Sequence, residues 1–312
     1  MVPVPDIVLV IPTFRRPRLL QALLQSLLQT LNETPAFLVV ADNDCDGAVL
    51  EIVESFKNLW PHCHYIAVPA KGLSNVRNSL VACALALVPE WRWLVMLDDD
   101  GVITPDWLRR LVSCGDTYQA QMVGGPVEGI LPPEAGFLAR HSIFASRTRR
   151  ETGEVPGLNS TQNLAVSRSL LNFITLPLFS PDFNLSGGED YDLFRRAATA
   201  GARLVWCDEA LVFEPTPMTR LTPSSVLSRY FTTGIYMAKI DVSYDGLWPA
   251  WLAGLKGAAG SLKRLVFAVV VVNKADLARA ILSSAHFAGR LCGLAGWRSA
   301  RYAAPPTVKL LP

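Results

Sequence analysis

The chain has 312 residues with 29 Lys+Arg against 27 Asp+Glu, and half of it is hydrophobic. That apolar share excludes a disordered chain, and 21 Gly and 22 Pro in no triplet period exclude collagen. Six scattered cysteines without a C-x-x-C pair indicate neither a disulfide framework nor a zinc knuckle, and a reducing cytosol is the simplest compartment.

Residues 7–11 (Ile-Val-Leu-Val-Ile) form a continuous apolar run, as expected of a strand buried on both faces of a parallel sheet. Residues 1–12 have no basic n-region and contain Asp6, so they do not read as a signal peptide. Residues 12–17 break the apolar run as a loop, and leucines at 19, 20, 23, 24, 27, 28 and 31 then give a helical stripe. Residues 37–41 read as a second strand ending in Asp42-Asn-Asp44, followed by a helix over 49–59. Residues 65–68 read as a third strand, and Ser74 as the cap of a helix to Val88. Residues 93–97 form a fourth strand running into Asp98-Asp-Asp100, and Pro105 opens a helix over 106–114. This alternation predicts an α/β fold, a mainly parallel central sheet with helices on both faces. Ligands then sit beyond the carboxyl ends of the strands, where Thr13/Arg15, Asp42/Asp44 and Asp98–Asp100 fall.

The second half is less regular. Residues 122–126 read as strand and turn, 140–158 as a polar loop, and 159–166 as the approach to a strand. Residues 186–190 form a loop opening a helix to Ala200. Short strands follow over 202–207 and 210–213, then a helix over 221–239.

Residues 247–312 hold nine Lys+Arg and one acid, leaving 20 bases and 26 acids before them, so a segment of net +8 follows a body of net −6. Trp248, Trp251, Leu252, Leu255, Ala259 and Leu262 repeat at helical spacing, as do Leu277, Ile281, Ala288 and Leu291. The longest apolar run, 265–272, is far short of the about 20 residues that span a bilayer. Such helices suit peripheral contact with an anionic membrane surface, while a basic helix pair packed on the body is the plainer reading. The acidic body, with no interleaved basic and aromatic stripe, argues against nucleic acid as a partner.

Three adjacent carboxylates repel one another, so Asp98–Asp100 at the end of a buried strand point to a cation rather than to stability. Alternation along the strand lets Asp98 and Asp100 converge, and Mg²⁺ or Mn²⁺ is typically held by one or two carboxylates plus substrate phosphates. Glu189 and Asp190 follow Gly187-Gly188, whose backbone can approach a ligand closely. A carboxylate there can take the proton of an acceptor hydroxyl, although acids in the first turn of a helix are also ordinary electrostatics.

Six motifs in order, Ile11-Pro-Thr-Phe-Arg15, Ala41-Asp-Asn-Asp44, Gly72-Leu-Ser-Asn-Val-Arg-Asn78, Leu97-Asp-Asp-Asp100 with Pro105, Asn163-Leu-Ala-Val, and Gly188-Glu-Asp-Tyr-Asp-Leu193 with Gly201, resemble glycosyltransferase family 2. The resemblance covers about residues 5–240 and implies a GT-A fold with an inverting, metal-dependent transfer from a nucleoside-diphosphate sugar. It implies a catalytic unit over 1–240, with a nucleotide half at 1–120 and an acceptor half at 121–240, and an amphipathic tail over 241–312.

By the same resemblance Pro12, Thr13 and Arg15 would line the nucleotide pocket, Asp42 would meet the base, and Arg77 and Asn78 would close that side. Asp98 would approach the ribose, sugar or metal; Asp99 and Asn163 fall with the substrate-binding residues; and Asp100 would bind the cation, Mn²⁺ or Mg²⁺. Asp190 would be the base, with Glu189 beside it, and Arg229 would contact the diphosphate. Many members carry Asn at the position of Arg15 and a His metal ligand after the last core strand, where this chain has Glu214, so either Glu214 would take that ligand's place or the site would lack that ligand. The acceptor would be a glycan or lipid-linked glycan at the cytoplasmic face of a membrane. The competing readings are a nucleotidyltransferase, which the glycine-free first loop disfavours, and a non-catalytic membrane-surface module, which leaves both acidic runs unexplained.

Overall fold

The computed structural model describes residues 4–145, 149–271 and 273–299. Val272 of the apolar run, and Arg301 and Lys309 of the basic segment, lie outside them.

The first half follows a regular alternation: β1 (Ile7–Thr13), α1 (Pro17–Glu33), β2 (Phe37–Asp42), α2 (Ala48–Lys57), β3 (Cys63–Ala67), α3 (Leu73–Leu87) and β4 (Trp93–Leu97). Then come β5 (Val102–Ile103), α4 (Trp107–Tyr118), β6 (Met122–Gly124), β7 (Val127–Ile130), α5 (Phe137–Arg140), β8 (Gly153–Glu154) and β9 (Asn163–Ser167). The chain continues through α6 (Glu189–Thr199), β10 (Leu204–Trp206), β11 (Val212–Pro215), α7 (Pro223–Asp245), α8 (Leu247–Val271) and α9 (Lys274–Leu294).

Eight strands form one sheet in the order β3-β2-β1-β4-β9-β6-β10-β8. Only β9 and β8 run against the other six. The apolar runs are explained by burial on both faces. On β1, Ile7, Leu9 and Ile11 pack with α1, α2 and α4, while Val8 and Val10 pack on the other side with α3 and α6. The strand extends to Thr13 because Pro12, at its end, still pairs with Ala41 of β2. Ser74 does not cap α3. Gly72 precedes the helix with no side-chain cap, and the Ser74 hydroxyl donates instead to the Ser180 carbonyl at 2.9 Å.

Of the second sheet, β5-β11-β7, only β11 overlaps an expected strand, the one over 210–213; β5 and β7 have no counterpart in the sequence-based elements. Its strands are two to four residues long, too short to leave a periodicity. It matters because β5 directly follows the Asp98–Asp100 turn and pairs with β11, which carries Glu214.

The last three helices pack on one another, and α7 packs on α6. Gly234 of α7 faces the backbone of α9 at His286 and Arg290, and Gly289 of α9 faces the backbone of α7 at Phe231, so a side chain at either place would collide. Asp241 of α7 accepts from Tyr191 (2.6 Å) and Arg195 (3.1 Å) of α6 and from Arg290 of α9 (2.7 Å).

Candidate active site

The carboxyl ends of β1, β2 and β4 bring the three polar sets to one edge of the sheet. Asp99 is 4% exposed. One of its oxygens accepts from the Thr13 hydroxyl at 2.7 Å, the other from Arg16 at 3.0 Å. The same Arg16 nitrogen reaches Asp100 at 2.7 Å. Asp98–Asp100 lie beyond the strand, in a turn, so adjacent rather than alternate carboxylates share one guanidinium. Burial raises the Asp99 carboxyl above its ordinary range, and Arg16 opposes that rise.

Burial, then Asp98 and Glu214, push Asp100 up to about 7. The short sheet accounts for this: pairing of β11 with β5 sets Glu214 beside the Asp98–Asp100 turn. Glu214 accepts from Gln162 at 3.1 Å and from Arg220 at 3.3 Å, and Arg220 lies 3.9 Å from Asp100. Among the described residues, no group of three or more His, Cys, Asp or Glu is gathered to hold a metal ion. The donor set nevertheless fits a hard divalent cation, which takes oxygen ligands and needs only one or two carboxylates besides substrate phosphates. The mutual repulsion that raises Asp100 is what such a cation would relieve.

Arg16 and Arg220 were not singled out in the sequence. Arg15 was, but it is turned outward in a left-handed conformation (φ 58°) and pairs with Asp44 at 3.0 Å, with its guanidinium 4.9 Å from the Phe14 ring. Asp42 is fully buried. It accepts from the Asp44 amide at 2.9 Å and the Tyr65 hydroxyl at 3.2 Å, which shapes the loop after β2.

Arg77 is the inner wall. It lines a small crevice with Pro12 and Asp98, beside Val10, Leu80 and Met96. Its guanidinium stacks 5.5 Å from the Phe179 ring, lies 3.9 Å from Asp98, and donates to Glu189 in a short buried ion pair. Asn78, one residue on, has its amide committed to the Phe179 backbone, donating at 2.7 Å and accepting at 3.0 Å. Asn163 is 1% exposed. It donates to the Pro126 and Ala210 carbonyls and accepts from the Trp107 indole at 3.0 Å, which makes it an internal clamp.

Glu189 and Asp190 open α6. Glu189 is 3% exposed, and its Oε2 has no hydrogen-bond partner among the described residues. Burial raises its carboxyl above the ordinary range, Asp190 adds to the rise, and Arg77 opposes it. Asp190 is half-buried and accepts from the Tyr191 amide at 2.7 Å. Gly188 is left-handed (φ 101°), and a side chain there would strike Tyr236 and Ile240 of α7. Gly188 is thus explained by the docking of α6 on α7. Arg229 lies half-buried in the second turn of α7.

Residues 8–174, more than half of the chain, match the sequence model of Glycosyl transferase family 2. The succinoglycan biosynthesis protein ExoM of Rhizobium meliloti (strain 1021) is 28% identical over 291 residues, 91% of each chain. Among solved structures, the mannosyltransferase PcManGT of Pyrobaculum calidifontis, in complex with GDP-Man and Mn²⁺, superposes with a TM-score of 0.60 at 15% identity, covering 94% of this chain and 88% of that one. TarS 1–349 of S. aureus, in complex with UDP-GlcNAc, gives 0.53 at 16% identity over 91% and 90%. The fold is GT-A, as the motifs imply.

Proposed function

Because the chain belongs to glycosyltransferase family 2, we propose that it transfers a sugar from a nucleoside diphosphate to an acceptor hydroxyl by one inverting displacement, in the assembly of a polysaccharide. The observation that carries this reading is Arg77, whose guanidinium lies 3.9 Å from Asp98 on the strand-end side and pairs with Glu189 at the start of α6, so that one side chain links the two acidic runs. Similar proteins support the substrate class: two were solved with nucleotide sugars, and one is a succinoglycan biosynthesis protein.

In this reading residues 1–120 hold the donor and 121–240 the acceptor. Pro12, Thr13 and Arg77 shape the donor side, and Asp98 meets the ribose or sugar. Asp100, with Asp98 or Glu214 as a second carboxylate, would hold a divalent cation, Mn²⁺ or Mg²⁺. When bound, that cation supplies positive charge to the diphosphate as the glycosidic bond breaks. Asp190 removes the acceptor proton as its oxygen attacks from the face opposite the leaving group. Glu189, fixed by Arg77, offers its unpartnered Oε2 to a sugar hydroxyl. Holding both substrates in one cleft supplies much of the remaining rate.

The test is product analysis with candidate nucleotide sugars and a glycan acceptor. Release of a nucleoside diphosphate with inverted anomeric configuration is expected. Release of pyrophosphate, or retained configuration, refutes the reading.

A further inference from the structure

α8 packs the wrong way round for a helix that hides its bulk from water. It turns Ala250, Gly254, Ser261 and Ala268 inward. Gly254 faces Leu291 and Leu294 of α9, and the Ser261 hydroxyl pairs with that of Ser283 at 2.5 Å. Its large apolar side chains stay outside: Trp248, Leu252, Leu255, Leu262, Val266 and Val270 are 40–74% exposed. At 3.6 residues per turn these six share about 80° of one face along about 33 Å of helix.

Amphipathic helices of water-soluble domains normally bury such a stripe. Small residues facing the protein and large ones facing out is the arrangement found where the surrounding medium is lipid. The α7–α9 seam, with Gly234 against α9 and Gly289 against α7, repeats it. α8 carries no Asp or Glu, and Lys256, Lys263 and Arg264 are exposed. The two lysines run along one edge of the stripe, where long cationic side chains reach headgroups while the apolar face sinks in. Among the described residues no helix is long and apolar enough to cross a membrane.

We infer that α8 lies in the plane of an anionic lipid bilayer, its stripe in the acyl boundary and its lysines on the headgroups. A second copy of the chain is the poorer occupant, because a two-fold pairing sets these cations against one another with no acid on α8 to meet them. The inference stands apart from the catalytic reading and does not depend on it.

The test is co-sedimentation of the full chain with vesicles. One set is phosphatidylcholine with about 30 mol% phosphatidylglycerol and the other is phosphatidylcholine alone. Binding to the anionic set is expected, at least about 100-fold stronger than to the neutral set at low salt. Lys256→Glu/Lys263→Glu/Arg264→Glu and Leu255→Ser/Leu262→Ser/Val266→Ser should each lose binding with an unchanged thermal midpoint. Brominated lipid should quench wild-type tryptophan fluorescence less in Trp248→Phe, a readout that holds if either triple variant fails to fold. The inference is overturned by no binding to anionic vesicles, by binding that either folded variant retains, by quenching indifferent to Trp248, or by a dimer that the serine variant dissolves in a protein that ignores vesicles.

Discussion

Arg77 and Glu189, 112 residues apart, meet in an ion pair whose side chains are 6% and 4% exposed. Breaking one side of such a pair strands a buried charge. Arg77→Met is expected to lower the unfolding free energy by about 3–5 kcal/mol. Arg77→Met/Glu189→Leu should recover most of that stability and none of the transfer activity. Urea denaturation alongside a transfer assay separates the two.

Asp190 is half-buried, and its carboxylate keeps one oxygen on the Tyr191 amide. Asp190→Asn preserves the shape of the side chain and that hydrogen bond but cannot accept a proton. Donor binding, measured by calorimetry, should persist while kcat falls by about 10²–10⁴. An active variant removes Asp190 from the base role.

Chelation should abolish transfer, and Mn²⁺ or Mg²⁺ should restore it, because Asp100 and Glu214 already repel one another across the candidate site. Asp100→Asn should raise the metal concentration needed for half-maximal rate. Full turnover in EDTA would show that Arg16 and Arg220 suffice to neutralise the diphosphate.

Asn163→Ala would take the side-chain partner from the Trp107 indole and the Ala210 carbonyl, while the Pro126 carbonyl keeps the Val212 amide. A stability loss of about 3 kcal/mol is expected, read as a lower urea midpoint. The donor KM of the folded fraction should not change, which distinguishes a clamp from a substrate contact.

His286 lies in the α7–α9 seam, where burial and then the neighbouring Arg290 push it down to about 4. Its unfolded value is about 6.5. Between these values the unfolded chain holds the extra proton, so stability falls as pH drops from about 6.5 towards 4, by up to about 3 kcal/mol. The pH dependence of the thermal midpoint should be flatter for His286→Gln over that window. An identical slope would mean that the carboxylates alone account for acid sensitivity.

The alternation of the first half was legible because β1, β2 and β4 are buried on both faces and their helices carry wide leucine stripes. The clustering of Asp98–Asp100 with Thr13 followed from the rule that strand ends converge, whereas the Arg77 bridge from Asp98 to Glu189 did not. Contacts made across long separations left no local mark. Nothing in the sequence chooses Arg16 over Arg15 for the inward position, since the choice depends on one left-handed residue. Arg220 gains its place only through the pairing of β11 with β5. Asn78 and Asn163 read as polar motif positions, yet each amide is spent on backbone groups distant in sequence. The apolar spacing of α8 was visible, but not that its small residues would be the ones to face inward.

Asp241 gathers partners from both α6 and α9. A fragment cut after α7 would therefore lose Arg290 and leave the buried Asp241 to Arg195 and Tyr191 of α6, the helix that bears Asp190. Anyone trimming this enzyme for crystallisation or expression should place the stop codon beyond residue 294, and an inactive shorter form would say nothing about where the acceptor binds.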